Sequence, residues 1–217
     1  LYCPSRVAVD NLHQEGFKNF PAEIVLSGDV MYDAVKFYSH LAEQNSSKAF
    51  NDLTLPDRFI LCTVHRQENT DDPYRLSKIV SAINQIASNQ DVIVPLHPRT
   101  AKILDRLQLS LKATLLPPVG YFEMLILLKR CSLVMTDSGG LQKEAFFFHK
   151  PCITLRDETE WTELLDLGVN TLAGADVQQI LHTIREVQSN PPKAYPEIYG
   201  DGHAAKIIAE HLIGKLG

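Results

Sequence analysis

The sequence predicts an α/β fold built on a central parallel sheet flanked by helices, and three observations carry that prediction. Short, β-rich apolar runs alternate with amphipathic segments along most of the chain. Four of those runs are almost continuous in Val, Ile, Leu, Phe or Cys, the composition of strands covered on both faces. The 217 residues are 45% hydrophobic and 22% charged, enough apolar material for a core.

In chain order, strands are expected at Glu23 to Leu26, Phe59 to Val64, Asp91 to Leu96, Ala113 to Leu116, Leu133 to Thr136 and Cys152 to Leu155, with a weaker one near Thr171-Leu172. Helices are expected at Asp72 to Ala87, Tyr121 to Lys129, Leu141 to Phe147 and Val177 to Val187. In the first of these Leu76, Ile79, Val80, Ile83 and Ile86 share a face, and Asp72 followed by Pro73 reads as an N-cap with proline at the first helical position. Glu43 to Pro56, rich in Asn, Ser and Lys, reads as a loop or a frayed helix end. A Pro-rich stretch from Asn190 through Pro196 carries the chain away from the main sheet, and Asp201-Gly202 opens a final helix to Leu216.

Charge narrows the function classes. Twenty-one basic and 26 acidic residues give a net charge of −5, so there is no electrostatic footprint for a nucleic-acid backbone and any phosphate must be held locally. Cys3, Cys62, Cys131 and Cys152 form no Cys-x-x-Cys pair and read as buried thiols of a cytoplasmic protein. No apolar stretch approaches the ~20 residues of a bilayer span. The opening residues lack the basic and apolar regions of a signal peptide, and the chain reads as a piece of something longer. The histidines are dispersed without metal-ligand spacing, and no Gly-x-Ser-x-Gly elbow exists, so neither a metal, a cofactor nor a nucleophilic serine is expected.

The chemistry-bearing residues cluster at predicted strand ends, where open α/β sheets bind ligands. The densest string is Thr136-Asp137-Ser138-Gly139-Gly140-Leu141-Gln142-Lys143-Glu144-Ala145, which leaves a buried strand and opens a helix. Gly139 and Gly140 let the backbone approach a ligand, and the first helix amides with the Ser138 hydroxyl are suited to a phosphate. Glu144, four residues after Gly140, is placed to accept two ribose hydroxyls. The plainer alternative is a tight turn with a capping serine and an exposed acid. Thr63-Val64-His65-Arg66-Gln67-Glu68-Asn69 ends a second strand, with His65 and Arg66 either facing an anion or belonging to a solvated loop. A third strand ends at Pro95-Leu96-His97-Pro98-Arg99-Thr100, where His97 is either phosphate-facing or rigid turn structure. Arg156 follows a fourth strand and is placed to reach the same anion, whereas Asp157, Glu158 and Glu160 read as the start of a short helix and Trp161 as packing.

In order along the chain, His65-Arg66-Gln67-Glu68-Asn69, Pro95-Leu96-His97-Pro98, Thr136 through Ala145, Leu155-Arg156-Asp157-Glu158-Thr159-Glu160 and Tyr199-Gly200-Asp201-Gly202 resemble the carboxyl-terminal half of the non-hydrolysing UDP-N-acetylglucosamine 2-epimerases. The stretches Asn11-Leu12 through Glu15-Gly16 and Gly28 through Asp33 resemble the connection between that family's two domains. The resemblance implies the Rossmann-like, nucleotide-holding half of a glycosyltransferase-B-type fold. Residues 1–35 would then be the inter-domain connection and the start of the domain, 36–195 the UDP-binding domain and 196–217 a crossing helix, with the amino-terminal domain absent.

By the same resemblance Ser138, Gly139 and Gly140 hold the diphosphate, Glu144 the ribose, His65 and Arg156 the phosphate side, and Tyr121 to Leu125 lie near the uracil. Arg66 and His97 match positions that touch a second, activating UDP-sugar in some bacterial members. Gln67 stands where many relatives carry a second arginine, and Arg99 where asparagine is common. The implied reaction interconverts UDP-GlcNAc and UDP-ManNAc by eliminating UDP and adding it back, without a cofactor. His65 would serve as the catalytic residue on this half, and the carboxylates that move the C2 proton would belong to the other half. The fragment alone would therefore be inactive and the full-length protein a homodimer. Trp161 resembles a branch acting on modified UDP-sugars such as diacetamido uronic acids. A hydrolysing epimerase, a glycosyltransferase and a non-catalytic nucleotide module are the remaining alternatives.

Overall fold

A run in which every residue is apolar, such as Phe59-Ile60-Leu61-Cys62, needs cover on both faces, because successive strand side chains point to opposite sides. The computed structural model, which describes residues 1–45, 50 and 54–216, meets that need in the larger of two units, Ala42–Tyr195. The smaller unit is Leu1–Leu41 with Pro196–Gly217. In it β1 (Tyr2–Cys3) pairs in parallel with β2 (Val25–Leu26), in register Tyr2 to Val25. They are joined through α1 (Arg6–Gln14), which is capped by the Ser5 hydroxyl accepting from the Ala8 amide at 3.3 Å. The Asp29 carboxylate accepts from Met31 N at 2.8 Å and opens α2 (Val30–Asn45).

The larger unit carries six strands, all parallel: β3 (Ile60–Thr63), β4 (Val92–Pro95), β5 (Thr114–Leu116), β6 (Leu133–Thr136), β7 (Cys152–Thr154) and β8 (Asn170–Leu172). Their order across the sheet is β5-β4-β3-β6-β7-β8. The helices between them are α3 (Gln67–Thr70), α4 (Pro73–Ala87), α5 (Pro98–Arg106), α6 (Tyr121–Arg130), α7 (Gly139–Phe147), α8 (Thr162–Asp166) and α9 (Val177–Ser189). Alternation divides β3 between two cores. Ile60 and Cys62 face Leu76, Ile79, Val80, Ile83 and Ile86 of α4 and Ile180 and Ile184 of α9. Phe59 and Leu61 face Leu127 and Leu128 of α6 and Leu141 and Ala145 of α7. Truncating any one of these buried Leu or Ile side chains to alanine costs about 2 to 5 kcal/mol.

In the smaller unit, α10 (Ala204–Leu216) is capped from a distance: the Asp33 carboxylate accepts from the amides of Ala204 and Ala205 at 3.0 and 2.7 Å. Gly28 allows the chain to pass close beside Tyr199. Its φ is +80°, and a Cβ there would stand 3.0 Å from the Tyr199 carbonyl oxygen, which accepts from Asp29 N at 2.9 Å.

The predicted α/β architecture is present, with differences of local cause. The strand expected at Glu23 to Leu26 pairs with β1 instead of joining the central sheet. Helix α7 begins at Gly139, two residues before the expected start, because the glycine pair after the Ser138 cap is itself helical. Helices α1, α2, α3 and α5 lie where no helix was expected, and α8 begins at Thr162, later than the short helix expected from Asp157. Of these, α3 and α8 have only four and five residues, too few for an apolar period to register. Of the stretch read as a loop or a frayed helix end, Glu43 through Asn45 are the last residues of α2, and most of the rest, 46–49 and 51–53, lies outside the described residues.

Candidate functional site

Strand order locates the site. From β3 the chain winds outward through β4 to β5, and from β6 it winds the other way through β7 to β8, so neighbours β3 and β6 send their following segments apart. At such a switch point the carboxyl ends leave a crevice. His65 follows β3 and Ser138 follows β6, so the two densest polar strings of the sequence meet there.

A buried carboxylate ties the crevice together. Asp137, fully inaccessible to solvent, accepts from the backbone amides of His65 at 3.1 Å and Arg66 at 2.9 Å and from the Asn69 side-chain amide at 3.1 Å. Asn69 Nδ2 also donates to the Leu155 carbonyl at 2.9 Å, and its Oδ1 accepts from Arg75 Nε at 3.1 Å. One acid and one amide thereby couple the segments after β3, β6 and β7. Below them the Thr63 and Thr136 hydroxyls lie 2.7 Å apart, and Thr136 Oγ1 accepts from Ser138 N at 2.9 Å. The His65 ring sits beside this hub, with Nδ1 3.8 Å from Asp137 Oδ1.

Ser138 is the N-cap of α7, its hydroxyl accepting from Leu141 N at a long 3.4 Å. The plainer reading of this serine is therefore correct as far as the free chain goes. The first amides of a helix have no acceptors within it, and α7 aims them at the crevice mouth. The cavity there measures about 300 Å³; His65, His97, Ser138, Gly140 and Glu144 line it, and Val119 and Met124 give it an apolar wall. Burial pushes the Glu144 carboxyl up to about 7, although a hydrogen bond from Tyr121 draws it back. His97 caps α5, its Nδ1 accepting from Arg99 N at 3.2 Å, and its ring centroid is 5.9 Å from that of His65. Arg99 turns away to Asp71 at 2.6 Å.

Arg156 and Arg66 do not line the cavity; their shared partner Glu160 lies against Gly139, between the lining residues Ser138 and Gly140. Arg156, 7% exposed, donates from Nε to Glu68 at 3.0 Å and from Nη1 to Glu160 at 2.7 Å. Arg66 Nη2 lies 3.6 Å from the other oxygen of Glu160. The acids after Arg156 do not start a helix as expected. Helix α8 begins only at Thr162; Asp157 pairs with Arg75 at 2.8 Å, and Glu160 bends back to the arginines. Cation attraction within reach outweighs the weaker pull of a helix terminus. Trp161 packs as expected, with Nε1 donating to the Gly139 carbonyl at 2.8 Å and the Lys143 ammonium 4.3 Å above its ring. Asp137, Asn69, Glu68 and Glu160 were not singled out by sequence. For Asp137 the available signal was an acid placed directly after an entirely buried strand.

Strand order and crevice define the class, a Rossmann-like α/β domain of the glycosyltransferase-B kind. The family model described as UDP-N-acetylglucosamine 2-epimerase matches residues 1–213. The chain belongs to that family. It is 49% identical over 213 residues to the UDP-2,3-diacetamido-2,3-dideoxy-D-glucuronate 2-epimerase of Pseudomonas aeruginosa, covering 98% of this chain and 59% of that one. It is 37% identical over 226 residues to a UDP-N-acetylglucosamine 2-epimerase of Methanococcus maripaludis, covering 99% and 61%. Among solved structures, the Methanocaldococcus jannaschii UDP-GlcNAc 2-epimerase in complex with UDP-GlcNAc and UDP superimposes with a TM-score of 0.86 at 34% identity, covering 99% of this chain and 60% of that one. The chain thus spans about three fifths of the length of the relatives it matches. Among the described residues no helix is long and apolar enough to cross a membrane.

Proposed function

We propose that this chain is the UDP-holding half of a non-hydrolysing UDP-sugar 2-epimerase that interconverts UDP-GlcNAc and UDP-ManNAc. The observation that carries the reading is the switch-point crevice itself, where the His65 segment and the glycine-opened start of α7 are tied by Asp137 around a cavity of about 300 Å³. The diphosphate lies at the first turn of α7, on the amides of Gly139 and Gly140 with the Ser138 hydroxyl, and Arg156 closes its outer side. Glu144 accepts the ribose hydroxyls, and the uracil lies near the backbone of Tyr121 to Leu125 at the start of α6. The larger unit, Ala42–Tyr195, is the UDP-binding body.

Breaking the bond between C1 and the phosphate oxygen puts negative charge on the β-phosphate. The His65 backbone, tied to Asp137, and the α7 amides are in place before that charge develops, which is the condition under which such donors lower a barrier, by ~2.7 to 4 kcal/mol per donor in a measured case. Proton removal at C2 and its return on the other face need carboxylates within reach of that carbon. Those we assign to the part of the relatives' length that this chain does not span, so the chain binds UDP and does not turn over. Arg66 and His97 belong to a second ligand position beside the first, with the Arg66 guanidinium at the boundary of the two, turned toward Glu160 and Gly139. The four buried free cysteines support a reducing compartment, the cytoplasm. We assign the whole protein a homodimeric state, to be read by sedimentation.

A second reading of the sugar has an observation of its own, the 49% identity to the diacetamido-uronate epimerase against 37% to a UDP-GlcNAc epimerase. The test is to join the chain to a relative's amino-terminal domain and follow solvent deuterium at C2. Exchange on UDP-GlcNAc supports the first reading, exchange only on the diacetamido uronate the second, and exchange by the 217-residue chain alone contradicts the division of labour.

A further inference from the structure

The rim of the crevice already holds an anion, and it belongs to the protein. Glu160 Oε2 accepts from Arg156 Nη1 at 2.7 Å, and Oε1 lies 3.6 Å from Arg66 Nη2. The same carboxylate rests against Gly139, the first residue of α7, so closely that a methyl group added there would collide with Oε1. Two guanidinium groups and a helix start thus converge on one carboxylate, the constellation a phosphate group would otherwise attract. We propose that Glu160 is the resident anion of the diphosphate site, an affinity-setting residue whose carboxylate is exchanged for the diphosphate when UDP binds.

The inference rests on the UDP reading of the crevice and adds to it what the ligand must displace. Neighbouring contacts separate what moves from what stays. Arg156 is held at Nε by Glu68, 3.0 Å away on its other side, so it keeps its orientation when Nη1 is released. Glu160 itself stands in the bend before α8 and its side chain is 41% exposed, so a change of rotamer carries it into water without disturbing β7 or α8. Burial alone would push the Glu160 carboxyl up, yet its own backbone amide and Arg156 hold it below the usual carboxylate range, so it is charged whenever the site is empty. An empty site without it would leave Glu68 as the counter-charge of Arg156 and none of the contacts Glu160 makes to Arg66 and Gly139. With it, the free chain is neutralised locally, and UDP gains its contacts only by breaking these.

Calorimetric titration of the chain and of Glu160→Gln with UDP, uridine and inorganic pyrophosphate tests the exchange. The variant keeps the side chain's size and removes its charge, and should bind UDP and pyrophosphate about fivefold or more tightly, uridine unchanged. Glu68→Gln, which removes the charge opposite Nε but keeps an acceptor for it and leaves Glu160 in place, should show a smaller gain than Glu160→Gln. UDP binding that is unchanged or weakened in Glu160→Gln overturns the proposal and makes the residue a support for Arg156. If the parent chain prefers UDP over uridine and the variant gains nothing, the resident anion fails while the UDP reading stands. If pyrophosphate gains in the variant but UDP is no better than uridine in either chain, the UDP reading fails while the resident anion stands. Binding of no probe to either chain overturns both.

Discussion

Two carboxylates, Asp137 and Glu160, both contact Arg66 beside one crevice, and their surroundings give them opposite work. Asp137 is sealed from solvent and surrounded by amide donors from the backbone of His65 and Arg66 and from Asn69. Glu160 is 41% exposed and faces two guanidinium groups. Charge pairs in solvent contribute little to folding because water competes for both partners, whereas a buried carboxylate cannot be removed without stranding its donors. The buried acid therefore fixes where His65 and α7 stand, and the exposed one is free to leave.

The sharpest way to break this contrast is Asp137→Ala. It leaves two backbone amides and the Asn69 amide without their acceptor, and the chain should lose about 3 kcal/mol or more in urea unfolding. A loss under about 1 kcal/mol would mean that the hub is not structural. Glu160→Gln, by contrast, should stay within about 0.5 kcal/mol of the parent.

Glu144 is next in size, and its sign depends on pH. Its folded value of about 7 lies above the ordinary 4.5, so folding takes up a proton. That contribution is fully present below the ordinary value and is lost as pH rises through the folded one, leaving a charged carboxyl that burial disfavours. Glu144→Gln should consequently stabilise the free chain by something on the order of 2 kcal/mol at pH 8, with the gain vanishing near pH 4, read from thermal midpoints. The same variant should bind UDP more weakly by about 1.5 to 3 kcal/mol at pH 8, since the ribose loses a charged acceptor. A 2′-deoxy ligand should lose less in the variant than in the parent. Ser138→Ala is the smallest of the set: with the capping bond at 3.4 Å, stability should fall by only about 0.5 kcal/mol.

The same contrast marks how far the sequence could be read. Buried parallel strands are contiguous apolar runs, so β3, β4, β6 and β7 were legible within a residue or two, as was α4 with its cap at Asp72, whose carboxylate accepts from Tyr74 N and Arg75 N. That polar strings at strand ends meet around one cavity was legible because the sheet geometry sends all such ends to one side. The work of Asp137 was not, since its partners His65 and Asn69 lie 72 and 68 residues away and only the β3–β6 pairing brings them near. Glu160 misled for a related reason. Local rules assign an acid before a helix to that helix, while Arg156, four residues before it, and Arg66, from the segment after β3, hold it elsewhere.

The central claim is that the crevice between β3 and β6 recognises a nucleoside diphosphate through its phosphates. Calorimetric titration of the chain at pH 8 with UDP and with uridine tests it most directly. The account predicts that UDP binds at least about tenfold more tightly than uridine, a difference of 1.4 kcal/mol, and that most of this advantage disappears at high salt because charge supplies it. Equal affinity for the two ligands, or an advantage for UDP that salt leaves untouched, would contradict it.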